Sequence, residues 1–490
     1  MQKINGSKNK IKVTSQISAL SMLIWLFYIN KIGGLMMEKL NLLKDDEKKV
    51  FYHYLIPSIC STLVTSIYIL VDTLIIGQGV GAAGISALNI FLPFFAIYNG
   101  IGLMFGLGGG ILISMEDGIG NKEKSDKYFI SSLIAVTIIG VIFTIFTNVF
   151  LEQISYFLGA NENSIGLVLE YGRCITLFTP VFIATNFLSP IIRNKKAPKL
   201  AMISVLIGAG LNIVLDYIFV FHMNMGMVGA ALATVIGSLT TVTVLLTHFI
   251  SKKNRIKVYP QYASIKMIKK IIGCGGSSFL MEAASGFVIF IFNIQILKYI
   301  GDVGIVVYGI ISNCVIVGMA LFNGVAQASQ PIIATNYGAK ESKRVKTVLK
   351  YAMLTTISIG CLLFVLVFMF IEDVIYTFVK ANDEIISMGV PAVRAYLSAF
   401  CIMNINILFC NYFQSVGKER SSILISAIRG FLLNIILVLS LPVLLGGSSL
   451  WFVVPTTEII TLVGIVIYIR KLKGNYLNSE IKLNKCAIAE

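Results

Sequence analysis

Twelve long apolar runs separated by short polar turns set the limits on what this chain can fold into. They lie near 51–78, 84–115, 128–151, 164–190, 200–222, 228–250, 270–298, 304–335, 348–371, 386–413, 421–445 and 448–470. A hydrocarbon core of ~30 Å takes about 20 helical residues to cross, and each run is long enough. Inside lipid no water remains to pair with the backbone, so segments of this length close their hydrogen bonds internally, as α-helices. Composition agrees. Of the 490 residues 56% are hydrophobic and only 13% charged, where a soluble domain carries roughly a quarter charged. The expectation is an all-α integral membrane protein with twelve transmembrane helices.

The net charge of +16 could suggest a nucleic-acid partner, but its placement argues against one. Taking alternate connections from the N-terminus, the segments 1–50, 116–127, 193–199, 252–270, 340–350, 418–420 and 470–490 hold 35 of the 40 Lys and Arg residues. The intervening connections hold only Lys298 and Lys380, and Arg173, Arg394 and Arg429 lie within spans. Lys and Arg gather on the cytoplasmic side of membrane proteins, so both termini are expected there, with each basic cluster a determinant of topology. The stretch ISALSMLIWLFYI (17–29) is apolar but only 13 residues long, and it lacks a small-residue cleavage site. Read as a signal peptide it would place residue 50 outside and reverse the charge pattern. We read it as a peripheral or dispensable extension, with the natural start at Met36 or Met37.

Several chemistries find no support. No CxxC occurs among the eight cysteines; seven are scattered in or at the ends of spans and Cys486 is in the tail, which gives no disulfide or metal framework. His53, His222 and His248 sit near different span ends. There is no GxxxxGK[ST] phosphate loop through which ATP could drive the chain, and no catalytic constellation, so an enzyme is not expected. Gly102, Gly106 and Gly110 form a ridge in the second span, which suits close helix packing or a bend that lines a cavity.

The chain also repeats itself at a separation of about 220 residues. GAAGI (81–85) lies over GDVGI (301–305), GNKEKS (120–125) over GAKESK (338–343), LNIVL (211–215) over LNIIL (433–437), and Arg173 over Arg394. Each half holds six spans, an even number, so both enter the membrane from the same side. That predicts two six-helix lobes related by a parallel internal repeat, with a substrate route between them. The expected organisation is a cytoplasmic extension at 1–50, a first lobe at 51–251, a basic linker at 252–269, a second lobe at 270–472 and a cytoplasmic tail at 473–490.

Ionisable residues inside spans are expensive and point to function. Asp72 and Asp216, on outward-running spans, each lie about seven residues short of the outer end, while Tyr171 and Thr234 lie about seven residues below it on inward-running spans. At 1.5 Å per residue all four sit roughly 10 Å beneath the outer face. Asn212 is one turn deeper on the face of Asp216. Tyr171 and Thr234 have a plainer reading, as partners for helix backbone groups, and the two acids could be capped near a boundary. The repeat weighs towards function, because Asp216 falls on Val438 and Asp72 near Phe292 or Asn293. A carboxyl in a dry pocket also holds a proton more readily than one in water, which suits a cation-coupling site. Glu282 lies near the midplane of the seventh span, where it either pairs with a neighbour or attracts cationic substrate. Glu458 in the last span, with Arg173, Arg394 and Arg429, reads as structural pairing.

With these residues in view, the sequence resembles the multidrug and toxic compound extrusion (MATE) family, in its bacterial MepA-like branch. The likeness is carried by IPSICSTLVTSIYILVDTLIIGQGVG (56–81), LNIVLDYIF with MGMVGAALATVIG (225–237), and GVAQASQPIIATNYGAKESKRVK (324–346), and spans about 50–470. It implies an antiporter of the cell membrane that exports amphipathic, often cationic small molecules in exchange for H⁺ or Na⁺, with no other cofactor and a monomeric state. By the same resemblance Asp72 is the first-helix acid, Pro57 the bend-forming proline of that helix, and Asn212 and Asp216 the fifth-helix pair. Tyr171 and Thr234 are their hydrogen-bonding companions. A coupling Na⁺ would sit at Asp72, Asn212 and Asp216. Glu282 matches the seventh-helix acid of members that bind Na⁺ in the second lobe, but the tenth helix reads CIMNINILF (401–409), with Asn404 where those members have an Asp. The alternative within the superfamily is a flippase for lipid-linked oligosaccharides or peptidoglycan precursors, whose pyrophosphate cargo calls for basic rather than acidic cavity residues. A passive channel is disfavoured because nothing resembles a ring of filter residues.

Overall fold

The structure, a computed structural model, describes residues 40–162, 164–250, 260–378 and 383–487. The apolar stretch at 17–29 and the candidate starts at Met36 and Met37 lie outside them. Among the described residues eleven helices are long and apolar enough to cross a membrane, and a bent pair, Ile165–Leu177 and Thr179–Asn194 meeting at 55°, makes a twelfth. In order, spans 1 to 4 are Glu47–Gly79, Ala82–Ile119, Lys122–Val149 and that pair; span 5 is Pro198–Tyr217 prolonged by a π turn at Ile218–His222; span 6 is Gly226–Ile250. Spans 7 to 9 are Ile265–Tyr299, Asp302–Gly338 and Ser342–Met369. Span 10 joins Asp383–Leu397 to Phe400–Ser415, span 11 runs from Glu419 to Leu445 through a π turn at Ile428–Leu432, and span 12 enters through Gly447–Phe452 and continues as Val453–Ala487.

The repeat is visible in the turns. Left-handed backbone falls in pairs 220 to 222 residues apart, at Gly81 and Gly301, Gly120 and Lys340, Lys196 and Gly417, and Asn224 and Gly446. At Gly81 (φ 91°) and Gly301 (φ 94°) it closes the tight connection to the next span, a conformation that glycine adopts without steric penalty. These turns also correct one alignment. GNKEKS does not lie over GAKESK residue for residue, because the helix ends pair Gly120 with Lys340 and Gly118 with Gly338.

Two buried clusters mark the two lobes, yet spans 1 and 7 each belong to both. The inner part of span 1 (Val50, Phe51, Tyr54, Leu55) packs into the second-lobe cluster, while Ile76 at its outer end joins the first. Span 7 does the reverse, with Ile271 and Cys274 in the first-lobe cluster and Phe292 and Ile296 in the second. The lobes therefore interlock on the face that carries the basic connections, termed inner below. Closeness there is extreme at a pair of repeat-related positions. A Cβ on Gly118 of span 2 would overlap the Thr335 carbonyl of span 8, and one on Gly338 would overlap the Met115 carbonyl of span 2. Backbone meets backbone at this seam because both residues lack a side chain. The Gly102, Gly106 and Gly110 ridge likewise packs against Ile183, Asn186, Phe187 and Asn194 of span 4, so close packing is its role.

Lipid-facing sides remain apolar, as on span 3 at Ile138, Val141, Ile142 and Ile145, which is what a bilayer solvent selects. The N-terminal boundary is corrected. The span 1 helix begins at Glu47, capped by Asp46, which accepts from the Lys49 amide at 2.9 Å. Just before it, Leu42 is buried in the second-lobe cluster and its carbonyl accepts from Asn336 (3.1 Å) and Arg344 (3.3 Å). The segment just before span 1 is thus docked against the second lobe. The basic linker is shorter than expected, since its last residues already form the first turn of span 7 at Ile265. Span 12 continues as helix into the segment read as a tail.

Candidate ion-coupling and substrate sites

Four spans bring the first-lobe layer together. Asp72 comes from span 1, Asn212 and Asp216 from span 5, Tyr171 from span 4 and Thr234 from span 6, and all five side chains are buried. Span 5 puts Asn212 and Asp216 on one face because residues four apart are stacked along a helix. The Asn212 amide donates to the Thr234 hydroxyl at 3.5 Å, and that hydroxyl donates to the Ala230 carbonyl at 3.0 Å. Thr234 thus both satisfies its own helix backbone and contacts Asn212. Tyr171 packs edge-on against Phe91, with ring centroids 5.7 Å apart, and interacts with Thr234 and both acids.

The carboxyls of Asp72 and Asp216 interact directly across the contact between spans 1 and 5. Asp216 is fully buried, and among the described residues both of its oxygens, one oxygen of Asp72 and the Asn212 amide oxygen accept no hydrogen bond of ordinary geometry, although the Asn212 side chain stands beside Asp216. Ionised carboxylates only accept hydrogen bonds. Two of them side by side in a dry site therefore cannot satisfy one another. A proton shared between them turns one into a donor, and a small cation would serve the same four oxygens. Among the described residues no Lys or Arg forms an ion pair with either acid.

Tyr68 is a member that sequence reasoning missed. It lies one turn below Asp72 on the same face of span 1 and interacts with Asp72, Asp216 and Tyr171. The signal was the i, i+4 spacing in YILVD (68–72). Pro57 is buried within an unbroken helix, and the hydroxyls above it fold back on the backbone. Ser61 donates to the Pro57 carbonyl at 2.8 Å, and Thr62 and Thr65 donate to Ser58 and Ser61 at 3.0 and 2.9 Å. Such back-bonding softens a helix, and here it covers the stretch where span 1 passes from one lobe to the other.

Glu282 lies at the matching crossover of span 7, beside Gly100 of span 2, and no ion pair holds its carboxyl among the described residues. Asn404, on span 10, donates to the Thr356 carbonyl of span 9 at 2.8 Å and faces Gly360. Glu458 does form a structural pair. Arg429 Nε donates to its two oxygens at 2.8 and 3.0 Å, Nη2 adds a contact at 2.8 Å, and Asn406 donates at 2.6 Å. The other span-internal arginines differ: Arg394 stacks on Phe368, 4.5 Å from the ring centroid, and Arg173 is exposed.

The MatE family model matches two blocks of this chain, residues 57–218 and 278–439, together more than half its length. The chain belongs to the MatE family. The two matched blocks correspond to the two lobes and coincide with the internal repeat. Among relatives of this MatE protein, the multidrug export protein MepA of Staphylococcus aureus is 28% identical over 386 residues, covering 78% of this chain and 84% of the relative. The MepA of Staphylococcus saprophyticus is 28% identical over 392 residues, covering 79% and 86%. In fold, the outward-facing conformation of a multidrug resistance MATE family transporter of the MOP superfamily superposes with a TM-score of 0.82, at 22% identity, over 90% of this chain and 99% of that one.

Proposed function

We propose that this MatE protein is a multidrug efflux antiporter, exporting amphipathic and often cationic compounds in exchange for H⁺ that enters at Asp72 and Asp216, with the basic face and both termini in the cytoplasm. The observation that carries the reading is the cluster of buried, unpaired acceptor oxygens on Asp72, Asp216 and Asn212, with no counter-charge among the described residues. Such a cluster is costly when empty of positive charge and is relieved by one proton. A reversible loading site of this kind is what exchange against a gradient needs. Na⁺ would find oxygen ligands there as well, so the choice between the two ions is the content of the test.

Glu282 lies on span 7 beside Gly100 of span 2, without an ion-pair partner among the described residues, and we assign it to the cationic part of the cargo. An unpaired carboxyl favours cations over the pyrophosphate lipids that a flippase would carry. The test is transport in liposomes holding purified protein, with a pH gradient or a Na⁺ gradient imposed separately. Concentrative uptake of a cationic dye with the pH gradient alone supports the reading. Uptake only with Na⁺ reassigns the ion, and uptake with neither removes antiport.

A further inference from the structure

Arg193, in the last turn of span 4, falls in one of the basic connections from which the topology is read, yet it is only 4% exposed. Its guanidinium donates from Nη1 to the side-chain oxygen of Gln327 on span 8, across the boundary between the lobes. Tyr54, from the inner part of span 1, is its other polar neighbour. No carboxylate pairs with it among the described residues. The end of span 4 is itself fixed in the first lobe: Asn194 accepts from Ser114 at 2.8 Å and donates to the Pro190 carbonyl at 2.9 Å. The Arg193–Gln327 contact therefore joins one lobe to the other and lasts only while the inner seam is shut.

The same molecule treats a buried arginine differently where nothing has to separate. Within the second lobe Arg429 is given a carboxylate, Glu458, in a forked pair. Between the lobes Arg193 is given a neutral amide. A charged, forked pair is far harder to part than a bond to an amide, and burying a guanidinium without a counter-charge opposes closure. The geometry points to Arg193 and Gln327 as the inner gate's balance: closure buries a charge whose bond to an amide is strong enough to hold the seam shut and too weak to lock it. This goes beyond the proposed antiport and holds whichever ion drives it.

The test reads the lobe equilibrium directly. Spin labels on Lys122→Cys and Lys340→Cys, exposed at the inner ends of the two lobes, would be placed in full-length protein whose eight cysteines are replaced and which still transports. Gln327→Glu supplies the missing counter-charge and should shift the distance distribution towards the closed seam. Gln327→Leu leaves the guanidinium with no acceptor and should shift it towards the open one. A hydrogen bond to a charged group implies a change of roughly 10- to 100-fold in the open-to-closed ratio for each. Both variants should bind dye and turn over slowly. If neither distribution moves, or both move in the same direction, the proposal is overturned. Failure of ion coupling in the wild type would leave these distances unaffected, so the two readings fail separately.

Discussion

Replacing Asp216 with Asn tests the coupling layer most sharply, because the amide imitates a carboxyl that can never release its proton. In the wild type both Asp216 oxygens and one Asp72 oxygen lack donors. Each such buried acceptor costs about 1–3 kcal/mol. The amide places an N–H donor among these oxygens, so Asp216→Asn should fold at least as well as the wild type. Its transport should fail. With a pH difference of about two units, one exchanged proton contributes ~2.7 kcal/mol, enough for roughly 100-fold accumulation of substrate. Liposomes carrying wild-type protein should approach that ratio, and those carrying Asp216→Asn should stay near unity while still binding dye. Accumulation of more than about tenfold by the variant, at matched protein density, would refute the argument. Loss of the protein from the membrane would show instead that Asp216 is structural.

Three other outcomes follow. Pro57→Ala restores a stiff helix at the crossover of span 1 and should slow turnover on the order of tenfold, ~1.4 kcal/mol in the barrier, with dye affinity unchanged; an unaltered rate removes Pro57 from the cycle. Glu282→Gln should weaken the apparent affinity for monocationic dyes by about five- to tenfold, as expected for a charge contact of ~1 kcal/mol or slightly more, and leave neutral substrates alone; equal loss for both would assign Glu282 to packing. Arg429→Met leaves Glu458 buried without its partner and should destabilise the detergent-solubilised protein by roughly 3–5 kcal/mol, read as a lowered melting temperature, with the pH dependence of transport in surviving protein unchanged.

Much of this architecture was legible because the bilayer removes choices. Span number follows from hydropathy and helix length alone, and the structure buries Asp72, Asp216, Tyr171 and Thr234 within reach of one another in the first lobe. What stayed hidden depends on rotation and on contact across long separations. Tyr68 carried a spacing signal but no charge to draw attention to it. Arg193 was counted with the loop lysines because nothing local distinguishes a snorkelling arginine from one sealed between lobes. The docking of Leu42 depends on Asn336 and Arg344, some three hundred residues away, and no periodicity reports such a contact.

The two lobes share a frame and differ in what they do with charge. Asn212 and Asn434 occupy equivalent places, and each meets a threonine on the following span, Thr234 at 3.5 Å and Thr457 at 3.3 Å. Each span also carries a π turn near that asparagine. One helical turn later the lobes part, with Asp216 in the first and buried Val438 in the second. Glu458, on span 12 of the second lobe, is instead saturated by Arg429 and Asn406. A carboxylate held by a forked arginine has its charge balanced and little use for a proton. The duplicated scaffold thus neutralises the span 12 acid of the second lobe and leaves the paired acids of the first without a counter-charge among the described residues. Span 1 carries Asp72 in the first lobe and packs its inner end into the second, so any proton held at Asp72 sits on a helix shared by both lobes.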